Sequence, residues 1–412
     1  MKLHPKLVIL LLALVITSII SIRRFLIRRC ELFNTYGNTF KVKKLQQNAI
    51  LTIEPKNIKT ILSLKFKDYG ISHRLEPFRP LLGKGIFNTD GDHWSSSRAL
   101  IRPSFAHGQV ADLTLLEKLM QDIFLLLPRD GSTVDLQDLF FRYTIDSATD
   151  FLFGQSVGTL KSQSDPSFAD AFYYAQKAVL MRATLGPLSL VYRDRKADEC
   201  NRICREFVKQ FVDEAVHATE TKETKETKHR RHIFSHELAS RISDKERILD
   251  ELMNVLLAGR DTTASLLGNP FFMLAKNPAI WDKLRREVAV LQALRLHPVV
   301  QRNQREAIRD TVLPVGGGKG HPTDFYGRDA EEFCPERWED GSLRPRWGYL
   351  PFNGGPRMCI GQRYALTEVS YVLVRIVQES QMLESRDLGA WEESLALTLC
   401  SRNGAQVGLV PA

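Results

Sequence analysis

The stretch "PFNGGPRMCIGQ", Pro351–Gln362, decides the reading of this chain, because it sets one cysteine among glycines, beside an arginine, just ahead of a helical pattern. Beyond Cys359 the apolar residues Leu366, Val369, Leu373 and Ile376 recur at helical spacing, which predicts a cysteine at or just before a helix N-terminus. Free amides and the positive end of a helix dipole favour a thiolate there, and Arg357 adds a cation. Gly354, Gly355 and Gly361 permit backbone geometry that a β-carbon obstructs, and they let a flat partner approach the main chain. Such a thiolate can serve as a covalent nucleophile, a redox thiol or a metal ligand. A redox thiol often has a C-x-x-C partner, which is absent, and a nucleophile wants a base that sequence leaves open. Glycines and an arginine around a thiolate suit a large, planar, anionic cofactor.

The 412 residues are 43% hydrophobic and 25% charged, enough to bury a large core and too apolar for a disordered protein. Of six cysteines only Cys200 and Cys204 lie close, one helical turn apart. No second pair completes four zinc ligands, so they are expected as inert thiols on a helix face. The net charge of +9 raises nucleic acid as a partner, but location explains it better. "RRFLIRR", Arg23–Arg29, directly follows "LVILLLALVITSIISI", Leu7–Ile22, an uncharged run nearly long enough to span a bilayer as a helix. Arginines rather than small residues after the run argue against a cleaved signal peptide and set the bulk of the chain in the cytosol. The expected organisation is a membrane anchor with its basic flank over residues 1–29, one domain over 30–412, and no nucleic-acid partner.

"SDKERILDELMNVLLAGRDTTASLL" predicts a long helix, opened by Ser243 and Glu246 as a capping box and ended or kinked at Pro270. Gly259 costs such a helix about 1 kcal/mol relative to alanine, so something bulky is expected to come close to it. Pro278 is expected at the first position of a further helix. The repeat "ETKETKETKHRRH", Glu220–His232, reads as an exposed, charged segment.

These residues carry a resemblance. The pattern F-x-x-G-x-R-x-C-x-G, met by Phe352, Gly355, Arg357, Cys359 and Gly361, resembles the haem-binding signature of the cytochrome P450 family. The resemblance implies a mainly α fold with a small β region, haem b held through Cys359 as the iron's axial ligand, and O2 as co-substrate. Within "AGRDTT", Asp261 and Thr262 match the acid and alcohol that deliver protons during oxygen activation. Trp94 and Arg98 in "DHWSSSRALIRPSF" match the family's W-x-x-x-R and, with Arg357 and Arg305, would bind the haem propionates. Arg337 in "FCPERWED" matches the arginine that locks the haem-side core against a helical E-x-x-R. Here "QALR", Gln292–Arg295, keeps the arginine, Arg295, and replaces the glutamate with Gln292.

The segments "PLLGKGIFNTDGDHW" and "VDLQDLFFRYTIDSATDFLFG" resemble the fungal microsomal branch that hydroxylates n-alkanes and fatty acids. That branch implies the endoplasmic reticulum membrane, a hydrophobic small-molecule substrate, and electrons from NADPH through a separate partner, NADPH-cytochrome P450 reductase. Against the family pattern the chain is expected to lack segments near 291–292 and 322–323. Removing one partner of a buried charged pair costs about 3 to 5 kcal/mol, so a second reading is a non-catalytic remnant that binds haem poorly or not at all.

Overall fold

The computed structural model describes residues 25–44, 47–105, 113–161, 167–186, 189, 192–221, 233–283, 296–316, 326–339, 341–395 and 397–411. The run Leu7–Ile22, residues 222–232 of the charged repeat, Gln292, Arg295 and both expected junctions lie outside them. Among the described residues no helix is long and apolar enough to cross a membrane.

The principal helices are α1 (Phe25–Tyr36), α2 (Leu75–Leu82), α3 (Gly91–Ile101), α4 (Thr114–Leu126), α5 (Leu136–Phe153), α6 (Ser167–Leu185), α7 (Arg195–Glu220), α8 (Lys245–Ala275) and α9 (Gln362–Glu379). Strands are short. β1 (Thr39–Lys44) and β2 (Gln47–Thr52) form an antiparallel hairpin, and β3 (Tyr69–Gly70) pairs with β5 (Glu306–Ala307). A three-stranded sheet has the order β4 (Thr133–Asp135), β9 (Gln406–Pro411), β6 (Ser380–Ser385), and β7 (Glu393–Leu395) pairs with β8 (Leu399–Ser401). The architecture is mainly α with a small β region, as the sequence predicts.

The 31-residue helix α8 organises the interior. Ile248, Leu249, Leu252 and Leu256 in its first half pack into a cluster with residues of α2, α6 and α7. Leu266, Leu267, Phe271 and Leu274 in its second half pack into another with α4, α5, α9 and the three-stranded sheet. The helix is buried along most of its length, polar residues such as Asp250, Asn254 and Arg260 included. Its cap is Asp244 rather than Ser243. The Asp244 carboxylate accepts from the amides of Glu246 at 3.0 Å and Arg247 at 3.2 Å, satisfying two of the orphan donors of the first turn. Pro270 does not end the helix, which runs on to Ala275. Pro270, Phe271 and Phe272 are all buried, and that packing outweighs the backbone bond a proline removes.

Three sequence expectations match the fold. The helix at Pro278 begins there, Cys200 and Cys204 lie buried on α7, and α9 starts just after Gly361 with Val369, Leu373 and Ile376 in the core. Behind α9 sits a polar network. Ser147 of α5 donates to Glu368 at 2.6 Å, and Glu368 is 2% exposed. Burial pushes the Glu368 carboxyl up to about 7, against the opposing pull of the Ser147 and Tyr143 hydroxyls. A carboxyl raised in the folded state favours folding while protonated, so that stability is present below its ordinary range and is lost as pH rises through about 7. Between pH 4.5 and 7.5 the protein should therefore lose about 3 kcal/mol relative to its Glu368→Gln variant, which thermal unfolding of the two across that range will read.

Candidate active site

The loop before α9 is shaped by its own backbone. The Cys359 amide donates to the Phe352 carbonyl at 2.9 Å, and the Met358 amide to the Gly355 carbonyl at 3.0 Å. Gly355 has φ +69°, and a β-carbon there would lie 1.9 Å from the Leu62 carbonyl oxygen, so two independent constraints demand glycine. The ring of Phe352 packs against the core cluster that includes α9. Cys359 stands just ahead of the cap residue Gly361, as expected.

The thiol's surroundings differ from the expectation in one respect. Its side chain is solvent-accessible, yet enough protein surrounds it that burial raises its proton affinity, while the Gly361 amide and then Arg98 lower it. The nearby cation is Arg98, on α3, and not Arg357. Arg357 turns the other way: it donates to Asp90 Oδ1 at 2.7 Å and to the Thr89 carbonyl at 2.9 Å, and its guanidinium lies 4.4 Å from the centre of the Trp94 ring. Trp94 is therefore stacked by Arg357, while Arg98, one turn along the same helix, faces the cysteine. Both arginines are at one site, but their expected partners are exchanged.

Arg357 belongs to a cluster. Arg74 is pushed down to about 10 by burial and by repulsion from Arg305, Arg357 and Arg302. Arg357 is likewise pushed down to about 10 by burial, with Asp90 opposing and Arg305 adding to the shift. Burial lowers Arg305 too, again with Asp90 opposing, and Arg305 donates to the Gln304 carbonyl at 2.9 Å. The β3–β5 pairing explains the assembly, since it sets the segment leading to Arg74 beside the one that carries Arg302 and Arg305. Arg74 and Arg302 escaped the sequence reading. The only signal was that Arg302 stands three residues from Arg305, because the cluster is built from segments far apart in the chain.

Asp261 is 2% exposed and pairs with Arg260 at 2.7 Å. Burial raises its proton affinity, opposed first by Arg260 and then by the nearby Gln176 amide of α6. The Thr262 hydroxyl donates to the Ala258 carbonyl at 2.5 Å, one turn back. Along this otherwise buried stretch Leu257, Ala258, Gly259 and Thr262 stay partly accessible, an open strip on the helix. A β-carbon on Gly259 would meet Ala148 of α5 at an ordinary 3.4 Å, so the described residues do not supply the bulky neighbour expected there. Arg337 meets Asp329 through two hydrogen bonds of 3.1 and 2.8 Å and donates to the Asp329 carbonyl at 2.9 Å. Its Nε is buried without a hydrogen-bond partner among the described residues.

The donor set fits haem. Buried guanidiniums that share the Asp90 carboxylate can take two further carboxylates, and an accessible thiol set in protein, near one arginine and one amide, can serve iron as a thiolate. The loop's geometry gives a direct test. Gly355→Ala should lower stability by about 3 kcal/mol or more through positive φ and overlap with Leu62, whereas Gly361→Ala, whose β-carbon would meet Phe105 at an ordinary 3.6 Å, should cost under about 1 kcal/mol. Denaturant midpoints of the two variants decide it.

Comparison with known proteins agrees with this geometry. A family model described as cytochrome P450 matches residues 12–293 and 289–389. The chain is 44% identical to the cytochrome P450 monooxygenase himC of Aspergillus japonicus over 427 residues, covering 92% of this chain and 77% of that one. It is 42% identical to the cytochrome P450 monooxygenase fsdH of Fusarium heterosporum, with 94% and 78% covered, and 38% identical to cytochrome P450 52A10 of Candida maltosa, with 90% and 83% covered. A match over most of the chain, to relatives named as monooxygenases, establishes what the cysteine loop first indicated: the chain belongs to the cytochrome P450 family.

Proposed function

We propose that this chain is a haem-thiolate monooxygenase that inserts one oxygen atom from O2 into an n-alkane or fatty acid. The observation that carries the reading is the arginine cluster around Asp90, joined through Arg357 to the loop that bears Cys359. Haem b, when bound, supplies the iron centre at which O2 is activated. Cys359 would hold its iron as a thiolate. Trp94, Arg98, Arg305 and Arg357, joined by Arg74, would hold the propionates by charge-assisted hydrogen bonds and stacking.

Asp261, buried and paired with Arg260, would relay protons toward the Thr262 hydroxyl, which must leave the Ala258 carbonyl to orient the transfer. Electrons come from NADPH through NADPH-cytochrome P450 reductase. Residues 1–29 anchor the protein in the endoplasmic reticulum membrane, with the domain over 30–412 facing the cytosol; the uncharged run and its basic flank support this. The alkane or fatty-acid assignment is supported by likeness to the 52A10 protein and by the segments quoted above. The other two relatives are more similar still, so a hydrophobic substrate is the broader statement and chain-end hydroxylation the finer one.

Internal segments are missing near 291–292 and 322–323. Two observations support this: the family match falls into two pieces that meet at 289–293, and alignments of 427 and 443 residues exceed the 412 of this chain, so they open gaps in it. Asp329 serves Arg337. The Nε of Arg337, buried without a partner among the described residues, is the observation that favours the second reading, a remnant that takes up little haem.

The full chain, given haem, reductase and NADPH, should convert n-alkanes or fatty acids to hydroxylated products, and Cys359→Ala should not. Thr262→Ala should keep haem but consume oxygen with several-fold less product. Absence of product across both substrate series would favour the remnant, and an unchanged ratio of product to oxygen in Thr262→Ala would remove Thr262 from proton delivery.

A further inference from the structure

The arginine cluster hangs on the segment "LGKGIFNTD", Leu82–Asp90, and that segment is gripped from the far side by one turn of α8. Asp250 Oδ2 accepts the Lys84 amide at 2.7 Å. Asn254, one turn on, accepts the Phe87 amide at 3.1 Å and donates to the Leu82 carbonyl at 2.9 Å. Between them Glu251 is fully buried, with the Ile86 amide and Ser97 of α3 near enough to oppose the rise in proton affinity that burial imposes on it. The loop is cut to fit these side chains. A β-carbon on Gly83 would lie 1.8 Å from Asp250, and one on Gly85 would lie 2.3 Å from Asn254. The two glycines, two apart in the loop, thus receive two α8 residues four apart. Inside the loop Asn88 is 0% exposed and braces the turn, accepting the Gly85 amide at 2.9 Å and donating to the Gly83 carbonyl at 2.7 Å.

The opposite side of the same loop holds Arg357. Its guanidinium donates to the carbonyls of Ile86 at 3.5 Å and Thr89 at 2.9 Å and pairs with Asp90 at 2.7 Å. Asp90 is fixed in turn by the Ile71 amide at 2.7 Å. Ile86 is the hinge of the arrangement, its amide facing Glu251 and its carbonyl facing Arg357.

We infer that Asp250 and Asn254 are positioning residues for Arg357, acting through the loop 83–90, so that the long central helix sets the place of the arginine beside the cysteine loop. Neither needs to touch a cofactor. A rigid three-point grip on the loop fixes two carbonyls and one carboxylate, and those three acceptors leave the guanidinium a single arrangement. The consequence for haem rests on the function proposed above; the mechanical coupling does not.

Hydrogen exchange on the full chain without added haem tests the coupling. Asp250→Ala should speed exchange about tenfold in 84–90 and also at the amides of Met358 and Cys359, while α6 stays as slow as in the unmodified chain. Asp250→Asn, which keeps an acceptor for Lys84, should restore slow exchange at both places. In an Arg357→Ala background, Asp250→Ala should still loosen 84–90 but have no further effect at Met358 and Cys359. Loosening of 84–90 alone in the unmodified background, or equal further loosening at Cys359 without Arg357, would overturn the inference. If Asp250→Ala loosens the whole chain, Gly85→Ala, which wedges the loop from its own side, decides instead by the same two segments. With haem added, Asp250→Ala should raise the haem dissociation rate about tenfold. A chain that takes up no haem at all counts against the proposed function and leaves the exchange result standing.

Discussion

The guanidinium of Arg357 donates to Asp90 and Thr89 while lying over Trp94, and through it the cysteine loop is tied to residues 267 and 268 positions earlier in the chain. The side chain of Arg357 is 9% exposed, so its charge has left water and depends on those partners. Removing one member of such a pair costs about 3 to 5 kcal/mol, more than half the stability of a marginal domain. Everything around the candidate site inherits its geometry from this contact. The loop 83–90 presents the acceptors, α3 follows directly with Trp94 and Arg98, and the separate loop that carries Arg357 and Cys359 leads into α9.

The charges assembled there oppose folding. Arg74 is repelled by Arg305, Arg357 and Arg302, and Arg357 by Arg305, and partial burial weakens the screening by water, so Arg74 and Arg357 are pushed down to about 10. Asp90 offsets part of that cost. Local conflicts of this kind concentrate where a protein binds something, because a ligand of opposite charge relieves them. Two carboxylates on one rigid planar group would do so, and the accessible thiol of Cys359 close by adds a further point of attachment.

What was legible in the sequence was local. The start of α9, the burial of its apolar face, the helical placing of Cys200 and Cys204, and the need for glycine at Gly355 all depend on neighbours within a few residues. Trp94 and Arg98 were read as one helix face, correctly, but their partners come from other segments: Arg357 stacks on Trp94, and Arg98 faces Cys359. Arg74 was invisible for the same reason, since only the β3–β5 pairing brings it to Arg305. Asp329 could not be foreseen as the partner of Arg337, because a family pattern names the usual glutamate and is silent on what replaces it. At Asp244 and Pro270 the misreading was energetic: a carboxylate one residue on accepts two amides, and core packing carries a helix through a proline.

The chain keeps a cysteine loop, an arginine cluster and a central helix with Asp261 and Thr262 side by side, so its capacity to hold haem through Cys359 is the point on which its function turns. The carbon monoxide difference spectrum of the reduced, full-length protein measures that most directly. A Soret band of the thiolate type, at one haem per chain, is the predicted result. A folded chain that binds no haem, or a band lacking thiolate character, would contradict it.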